Sequence, residues 1–483
     1  MKLSEILVSI NYECVNFKNI NICGLSHNSK NIEKNYLFFA VCDGENDGRE
    51  YIGEAIKNGA KAVVYMCDDR LKSIDQYLVK GVVFVKVCDV RMAMSIMAKN
   101  FYGRVDEKMK LVGVTGSNGK TTTASIIYEV LKKSNKKVGL IGTNGVQFGD
   151  IVLPSNMTTP DPIDLHYFLS QMYAFGVEYV VMEVSAHAIF YQKIAGLKFD
   201  VGVFTNISNE HLDFFKTMEN YAHVKASFFV SSYVKECVVN IDDDLGMKIA
   251  YSTDVPCVSF GLTRPANIFA VDIKMTFDYM SFIVNAFDDI YSIKTHLIGD
   301  YNVYNIMASI GACRLLGIDD KTIKNTINSI KNIEGRWMTY DFGANKKIIV
   351  DFAHTPDGFE KVLSLVKNLR KGKLTTLFGC VGYSDSVKRK MMGQVASKYS
   401  DRIVLSSDNP CDASFDSIVS DIKQGITCEC IEIEDREKAI KFAFDNMVDN
   451  ETLIILGKGA EKYQKVKGAY IKYSDIDVVN KLK

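Results

Sequence analysis

Lys110–Val130 reads KLVGVTGSNGKTTTASIIYEV, and the fold follows from it. Leu111 to Val114 is a short apolar, β-branched run of the kind that forms a buried strand. Gly116 and Gly119 punctuate the next stretch, then come Lys120, three threonines and a helix-forming segment. The order is strand, glycine loop, helix N-terminus. Backbone N–H groups of such a loop, with the helix dipole behind them, bind a polyphosphate. Lys120 is placed to reach the terminal phosphates and the Thr121 hydroxyl to sit on Mg²⁺. The strict G-x-x-x-x-G-K-T pattern needs a glycine where Val114 stands, so a plain glycine turn is the competing reading. The Lys-Thr pair favours the nucleotide.

The string TGSNGKTTT resembles the ATP loop of the Mur ligases and of their relative folylpolyglutamate synthase. In that reading ATP lies on Gly116, Asn118, Gly119, Lys120, Thr121 and Thr122.

The 483 residues suit about three domains. Lys+Arg and Asp+Glu balance at 58 each, which argues against a nucleic-acid binder with a broad basic surface. The 12 cysteines include no C-x-x-C pair; Cys428 and Cys430 flank Glu429. The opening MKLSEILVSI is broken by Glu5 and has no secretory h-region, so reduced thiols in the cytoplasm are expected. No apolar run is long enough to span a bilayer, so no membrane partner is expected.

Three blocks follow, and the expected fold class is α/β throughout. Residues 1–106 alternate short strands (Tyr36–Val41, Lys61–Tyr65, Val82–Val85) with helical stretches and predict a small N-terminal α/β domain. Residues 107–335 predict a central, mostly parallel sheet of βαβ units. It includes a strand at Val201–Asn206, a helix at Tyr221–Tyr233 and an antiparallel piece over Ile268–Leu297. Residues 336–483 predict a Rossmann-like doubly wound domain with strands at Lys347–Phe352, Leu374–Gly379, Asp401–Leu405, Glu429–Ile433 and Thr452–Leu456.

Glu183 closes the apolar strand Tyr179–Val184. A carboxylate at a strand end near a phosphate loop suits a Mg²⁺ site; a helix cap is the plainer alternative. His187 has no forced role. His211, in TNISNEHLD, follows another strand, and a lone histidine is more often structural. Lys225, in YAHVKAS, reads as a solvated lysine.

The resemblance changes several of these readings. It implies that His211 lies beside a second Mg²⁺. It also implies that Lys225 carries a carbamate, which turns a cation into an oxygen ligand and needs a desolvated, neutral amine. Glu183, Thr121, His211 and carbamylated Lys225 are then the metal set, and Lys120, Glu183, His211 and Lys225 the catalytic set. In the N-terminal block, Ser26-His27-Asn28-Ser29-Lys30 and FFA…DGR are similar to the uridine-holding runs of the UDP-N-acetylmuramoyl-tripeptide synthetases, the MurE type. Folylpolyglutamate synthase lacks that block. Ser29 is kept, whereas Asn28 and Lys30 replace the family's Asp and Arg.

Thr158, Thr159 and Ser185 match the loop that touches the muramyl substrate, with Ala186 for the second serine and Lys193 for an arginine. Lysine keeps the charge but not the bidentate fork. Asn302 matches the adenine-holding asparagine. Arg336 and His354 would approach the phosphates and Asp351 the ribose. For the incoming amine the counterparts are Ser384, Asp408, Asn409, Cys411, Lys458 and Glu461. The two arginines that grip meso-diaminopimelate fall on Ser384 and Cys411, while Lys388 to Lys390 match a segment that faces elsewhere.

The expectation is a monomeric, ATP- and Mg²⁺-dependent amide ligase acting through an acyl phosphate. It adds an amino acid to UDP-N-acetylmuramoyl-L-alanyl-D-glutamate and does not use meso-diaminopimelate. A paralogue with another donor or amine, and a non-catalytic binding protein of the same fold, are the alternatives. The intact Lys120, Glu183, His211 and Lys225 speak against the latter.

Overall fold

A computed structural model describes residues 1–483 apart from 44–45, 69–73, 156, 288 and 384–385. Three large sheets follow one another along the chain, with two small two-stranded pairs beside them. The first is 5-stranded, in the order Glu13–Val15, Val83–Lys86, Ala60–Tyr65, Tyr36–Phe39, Gly24–Ser26. Four of these strands run parallel, and Glu13–Val15 pairs antiparallel at the edge.

The central sheet has 11 strands. Lys110–Thr115 lies at its middle, between Tyr179–Glu183 and Phe199–Phe204, parallel to both. All three are buried along almost their whole length, which is why they read as continuous apolar runs rather than alternating ones. Register pairs Glu183 with Val114 and Phe204 with Thr115, so the three strands end in one layer. Their following loops therefore open side by side, where ligands of such sheets bind. Hairpins extend the sheet at both ends: Gly145–Phe148 with Ile151–Leu153, and Ile268–Met275 through Met280–Ala286 to Asp289–Thr295.

Helix Lys120–Lys133 starts directly after the loop and packs on helix Asp300–Leu315. Ile126, Ile127, Val130 and Leu131 share one core cluster with Ile306 and Ile310, each fully buried. Burying such a side chain contributes about 1.5–3 kcal/mol. That packing outweighs the weak helix propensity of Thr121, Thr122 and Thr123.

The last sheet has 6 strands in the order Met338–Asp341, Lys347–Asp351, Thr452–Leu456, Leu374–Phe378, Arg402–Leu405, Glu429–Glu432. All are parallel except the edge strand Met338–Asp341, and separate apolar clusters lie on its two faces. The α/β fold class expected of the chain, with a central mostly parallel sheet and a doubly wound last sheet, is the one observed.

Some elements differ from expectation. The strand expected at Val201–Asn206 spans Phe199–Phe204, which frees Thr205 and Asn206 to reach the glycine loop. The helix expected over Tyr221–Tyr233 runs from Met218 to Ala226, N-capped by Thr217. It stops there because Phe228 and Phe229 turn into the core, edge-on to Phe199 and Phe204. Strands Val234–Asn240 and Cys257–Gly261 and the hairpin Tyr463–Lys472 were not foreseen. No helix among the described residues is long and apolar enough to cross a membrane.

One buried ion pair anchors the last sheet. Arg436 donates to both carboxylate oxygens of Asp475 at 2.8 Å, and to the Leu456 carbonyl at 2.8 Å. Both side chains are 0% exposed. Removing one partner leaves an uncompensated buried charge, at a cost of about 3–5 kcal/mol. Asp475→Leu is therefore expected to speed hydrogen exchange of the Thr452–Leu456 amides markedly. The double change Arg436→Met with Asp475→Leu should restore much of the protection. Equal exchange in wild type and single variant would show that the pair contributes nothing.

Candidate active site

The glycine loop is shaped by two positive backbone angles, φ 150° at Gly116 and φ 87° at Gly119. A Cβ on Gly119 would meet Asn305 Oδ1 at 2.3 Å, so only glycine lets that asparagine approach. Lys120 folds over the loop and donates to the Gly116 and Ser117 carbonyls at 2.9 and 2.8 Å. Thr205 and Asn206, beyond the neighbouring strand, hold the Asn118 carbonyl at 2.6 and 3.1 Å.

The Glu183 carboxylate, 2% exposed, sits at the loop mouth. Thr121 Oγ1 donates to it at 3.0 Å, the Thr143 amide at 2.8 Å and the Thr143 hydroxyl at 3.2 Å. Arg336 reaches in from the far side of the chain, donating to Thr121 Oγ1 at 2.9 Å and stacking 4.2 Å over the Phe352 ring. Thr159 Oγ1 donates to the Glu183 carbonyl at 2.8 Å and accepts from the Ser185 amide at 3.0 Å. Ser185 caps the short helix Ala186–Phe190. Lys193 pairs with Asp161 at 2.8 Å.

These groups line a cleft of 1170 Å³. Its walls include Asn118, Gly119, Lys120, Thr121, Thr122, Thr158, Thr159, Glu183, Ser185, Lys193, His211, Asn302, Arg336, Asp351 and His354. Gly116, also in the loop, is not among the residues that line the cleft. The Asp351 carboxylate accepts from the Trp337 and Ala353 amides, both at 2.8 Å, so it also fixes the chain entering the last sheet. Asn302 donates to the Ile298 carbonyl at 2.8 Å and accepts from Asn305 at 3.0 Å.

His211 has a left-handed backbone, φ 58°, and lies 3.7 Å from Glu210, whose carboxylate is also 3.9 Å from His354. Burial raises the Glu210 carboxyl, but His211, Lys120, His354 and Lys225 together hold it below its ordinary value. His187 stacks edge-on to His211 at 4.8 Å. Burial, then His211 and Lys193, push its pKa down to about 4, so it is neutral near pH 7. Lys225 lies beneath this group, 1% exposed, with its ammonium 4.7 Å from the Tyr221 ring centre. Among the described residues no carboxylate lies within 4.0 Å of it. Burial, and then the charge of Lys120, hold its pKa well below the usual lysine value.

Other expected site residues lie outside this cleft. Ser29, in a short turn of the first block, is bonded to Glu54 and, through its carbonyl, to Asn58 of helix Ile52–Asn58. Lys458 is fully buried and donates to Asn409 at 3.1 Å and Glu461 at 2.8 Å, with Asp408 at 3.4 Å, so these four form their own cluster. Cys411, φ 54°, adjoins it and bonds through its backbone to Lys465 and Lys467. Ser384 lies outside the described residues. Arg389 does face elsewhere: it bonds Asp421 at 2.9 Å and the Gly382 carbonyl at 2.7 Å.

Thr143, Glu210, Asn305 and Asp357 were not singled out from sequence, yet each touches a site residue. Thr143 just after a strand end was the available signal. Asn118 donates to Asp357 at 2.8 Å across the seam to the last sheet, a pairing with no local signature.

Family models match residues 114–313 as the Mur ligase middle domain and 335–459 as the Mur ligase, glutamate ligase domain. A UDP-N-acetylmuramoyl-L-alanyl-D-glutamate–2,6-diaminopimelate ligase of Clostridium tetani is 35% identical over 486 residues, covering 100% of this chain and 99% of the relative. The ligase of that name from Caldanaerobacter subterraneus subsp. tengcongensis is 36% identical over 485 residues, covering 100% and 99%. A solved ligase structure of that name superposes with TM-score 0.69 at 26% identity, over 100% of this chain and 98% of the other. MurF from Thermotoga maritima in complex with ADP shares the fold, with TM-score 0.62 at 21% identity over 90% and 93%. A glycine loop between strand and helix, a buried strand-end carboxylate and the cleft they line thus stand in a chain that belongs to the Mur ligases, of the MurE type, which are ATP-dependent carboxylate–amine ligases using Mg²⁺.

Proposed function

We propose that this enzyme adds an amino acid to UDP-N-acetylmuramoyl-L-alanyl-D-glutamate. The observation that carries the reading is that one cleft holds both the glycine loop and the Thr158, Thr159, Ser185 and Lys193 group. The γ-phosphate of ATP and a donor carboxylate can then meet in one cavity. Carboxylate attack on the γ-phosphorus forms an acyl phosphate and releases ADP; attack by the acceptor amine forms the amide and releases phosphate. Lys120 neutralises transferring charge, and the loop amides orient the phosphates, so catalysis is mostly positioning. The Thr121 hydroxyl and Glu183 carboxylate are hard oxygen donors at the loop mouth, a set that fits Mg²⁺. Bound there, Mg²⁺ supplies charge neutralisation on the phosphates.

Lys225 has what carbamate formation requires, a buried amine shifted toward its neutral form. Its carbamate would add oxygen ligands beside His211. For the acceptor, the relatives' name and the local residues point in opposite directions. Cys411 and Ser384 carry no cation, Lys458 is engaged by Asp408, Asn409 and Glu461, and Arg389 by Asp421. We take these residue types to favour an acceptor with a single carboxylate over meso-diaminopimelate.

Three measurements test these readings. Lys120→Ala should abolish ADP release in the presence of donor and amine while circular dichroism stays native; wild-type turnover by the variant would overturn the site. Lys225→Ala should be inactive and partly rescued by a short carboxylic acid; an unmodified Lys225 in the metal-loaded active enzyme would refute the carbamate. The ratio of kcat/KM for L-lysine or smaller amino acids to that for meso-diaminopimelate should exceed about a hundredfold, since an unpaired buried carboxylate costs about 3–5 kcal/mol. A clear preference for meso-diaminopimelate would defeat the acceptor reading and leave the donor reading standing.

A further inference from the structure

The 12 cysteines are free thiols, and the fold brings together two that the sequence holds far apart. Cys237 lies in strand Val234–Asn240, and Cys257 opens strand Cys257–Gly261. The two strands run parallel, and register sets Cys237 directly beside Cys257. In-register neighbours on adjacent strands have their Cα atoms about 4.8 Å apart, inside the roughly 4.4–6.8 Å that a disulfide spans. Both side chains leave the sheet on one face. Cys237 belongs to the apolar cluster of Phe204, Val239 and Ile249, and Cys257 packs against that cluster. Val238 and Val258, one place on, turn to the other face.

The pair is asymmetric. Cys237 is 0% exposed, while Cys257, at the start of its strand, is half-buried. The Cys237 thiol donates to the Cys257 sulfur. That bond holds the Cys257 thiol below the ordinary cysteine value, against the effect of burial, and it raises the Cys237 thiol, as burial also does. A thiol that is partly exposed and shifted toward thiolate is the one that meets an oxidant, and a thiol in contact with it resolves the product. Helix Asp244–Ser252 connects the two strands on the same face, with Leu245 and Ile249 in the shared cluster. A bond between the sulfurs therefore closes one strand–helix–strand unit. That unit carries Asn240, which donates to the Thr205 carbonyl at 2.8 Å, and Asp243, which accepts from the Ile207 amide at 2.8 Å. Both flank Asn206, a partner of the glycine loop.

We infer that Cys237 and Cys257 are a peroxide-reactive thiol pair, in which Cys257 reacts first and Cys237 resolves it to a reversible disulfide. The Cys257 thiolate attacks the hydroxyl oxygen of a hydroperoxide and becomes a sulfenic acid. The O–O bond breaks, and the hydroxide or alkoxide that leaves takes a proton from water. The Cys237 sulfur then attacks the sulfenic sulfur. The S–S bond forms, the S–O bond breaks, and the Cys237 proton leaves with that oxygen as water. Together the sulfurs lose two electrons, which the peroxide gains. A dithiol reductant returns both thiols by exchange. The site does not depend on which donor or amine the enzyme takes.

Peptide mapping of the folded, full-length enzyme tests this. After treatment with a small excess of hydrogen peroxide, the protein is unfolded in N-ethylmaleimide and digested without reductant. Trypsin cuts after Lys248, between the two cysteines, so their bond appears as a linked pair of peptides. That pair should hold more than about half of Cys237, and a dithiol added before the blocking step should return both cysteines to thiols. In Cys237→Ala, dimedone should trap a sulfenic acid at Cys257. In Cys257→Ala, oxidation of Cys237 should slow at least about tenfold. Cys237→Val gives the same comparison should Cys237→Ala fold poorly. Cys237 remaining a thiol in oxidised wild type, linkage of either cysteine to others in preference, dimedone capture at Cys237 rather than Cys257, or wild-type loss of the Cys237 thiol in Cys257→Ala would each overturn the inference.

Discussion

Everything at the centre of this molecule depends on a carboxylate that has been taken out of water. Glu183 is almost fully buried, and an uncompensated charge there would be costly. Its hydrogen bonds come from Thr121 at the start of the loop helix and from Thr143 beyond a neighbouring strand. Arg336, from the stretch that leads into the last sheet, closes the chain by donating to Thr121. Satisfying one acidic group thus brings three distant stretches into register. Gly142 shows how tight the arrangement is: a Cβ there would lie 2.2 Å from the Glu183 carboxylate.

Much of this was legible in the sequence because its determinants are local. Gly116, Gly119, Lys120 and Thr121 state the loop by themselves, since positive φ, a cation and a hydroxyl are needed within a few residues. Continuous apolar runs marked the parallel strands, and their ends marked where functional groups gather. What stayed hidden depends on contacts between distant residues. Thr143 matters only because Glu183, 40 positions away, folds beside it, and Asp357 only because Asn118 lies 239 positions back. The helix end at Ala226 was missed for the same reason: Phe228 and Phe229 are drawn inward by partners on another strand. Family resemblance pointed to Lys225, and burial supplies the physical reason an ordinary-looking lysine is unusual there.

The first block is more than a platform. Its helix Val90–Phe101 meets the central sheet along a face whose polar groups find partners in the 191–196 turn. The last block behaves differently. Its own polar cluster around Lys458 is internally satisfied and buried.

The seam between the central and last sheets has a thermodynamic meaning. Asn118 and Thr121 of the loop bond Asp357 and Arg336 of the other side, within the residues that would meet nucleotide. Gly335, φ 75°, lies so close to the Gly459–Ala460 backbone that any side chain would collide, so this point fixes how closely the two sides approach. A ligand spanning the seam binds the docked arrangement more tightly than a separated one. By reciprocity, docking raises its affinity by the same factor. Nucleotide affinity is then a property of two bodies rather than of a loop. A substitution at Gly335, whose side chain would push against Gly459 and Ala460, is then expected to change it through the docking of the two sides.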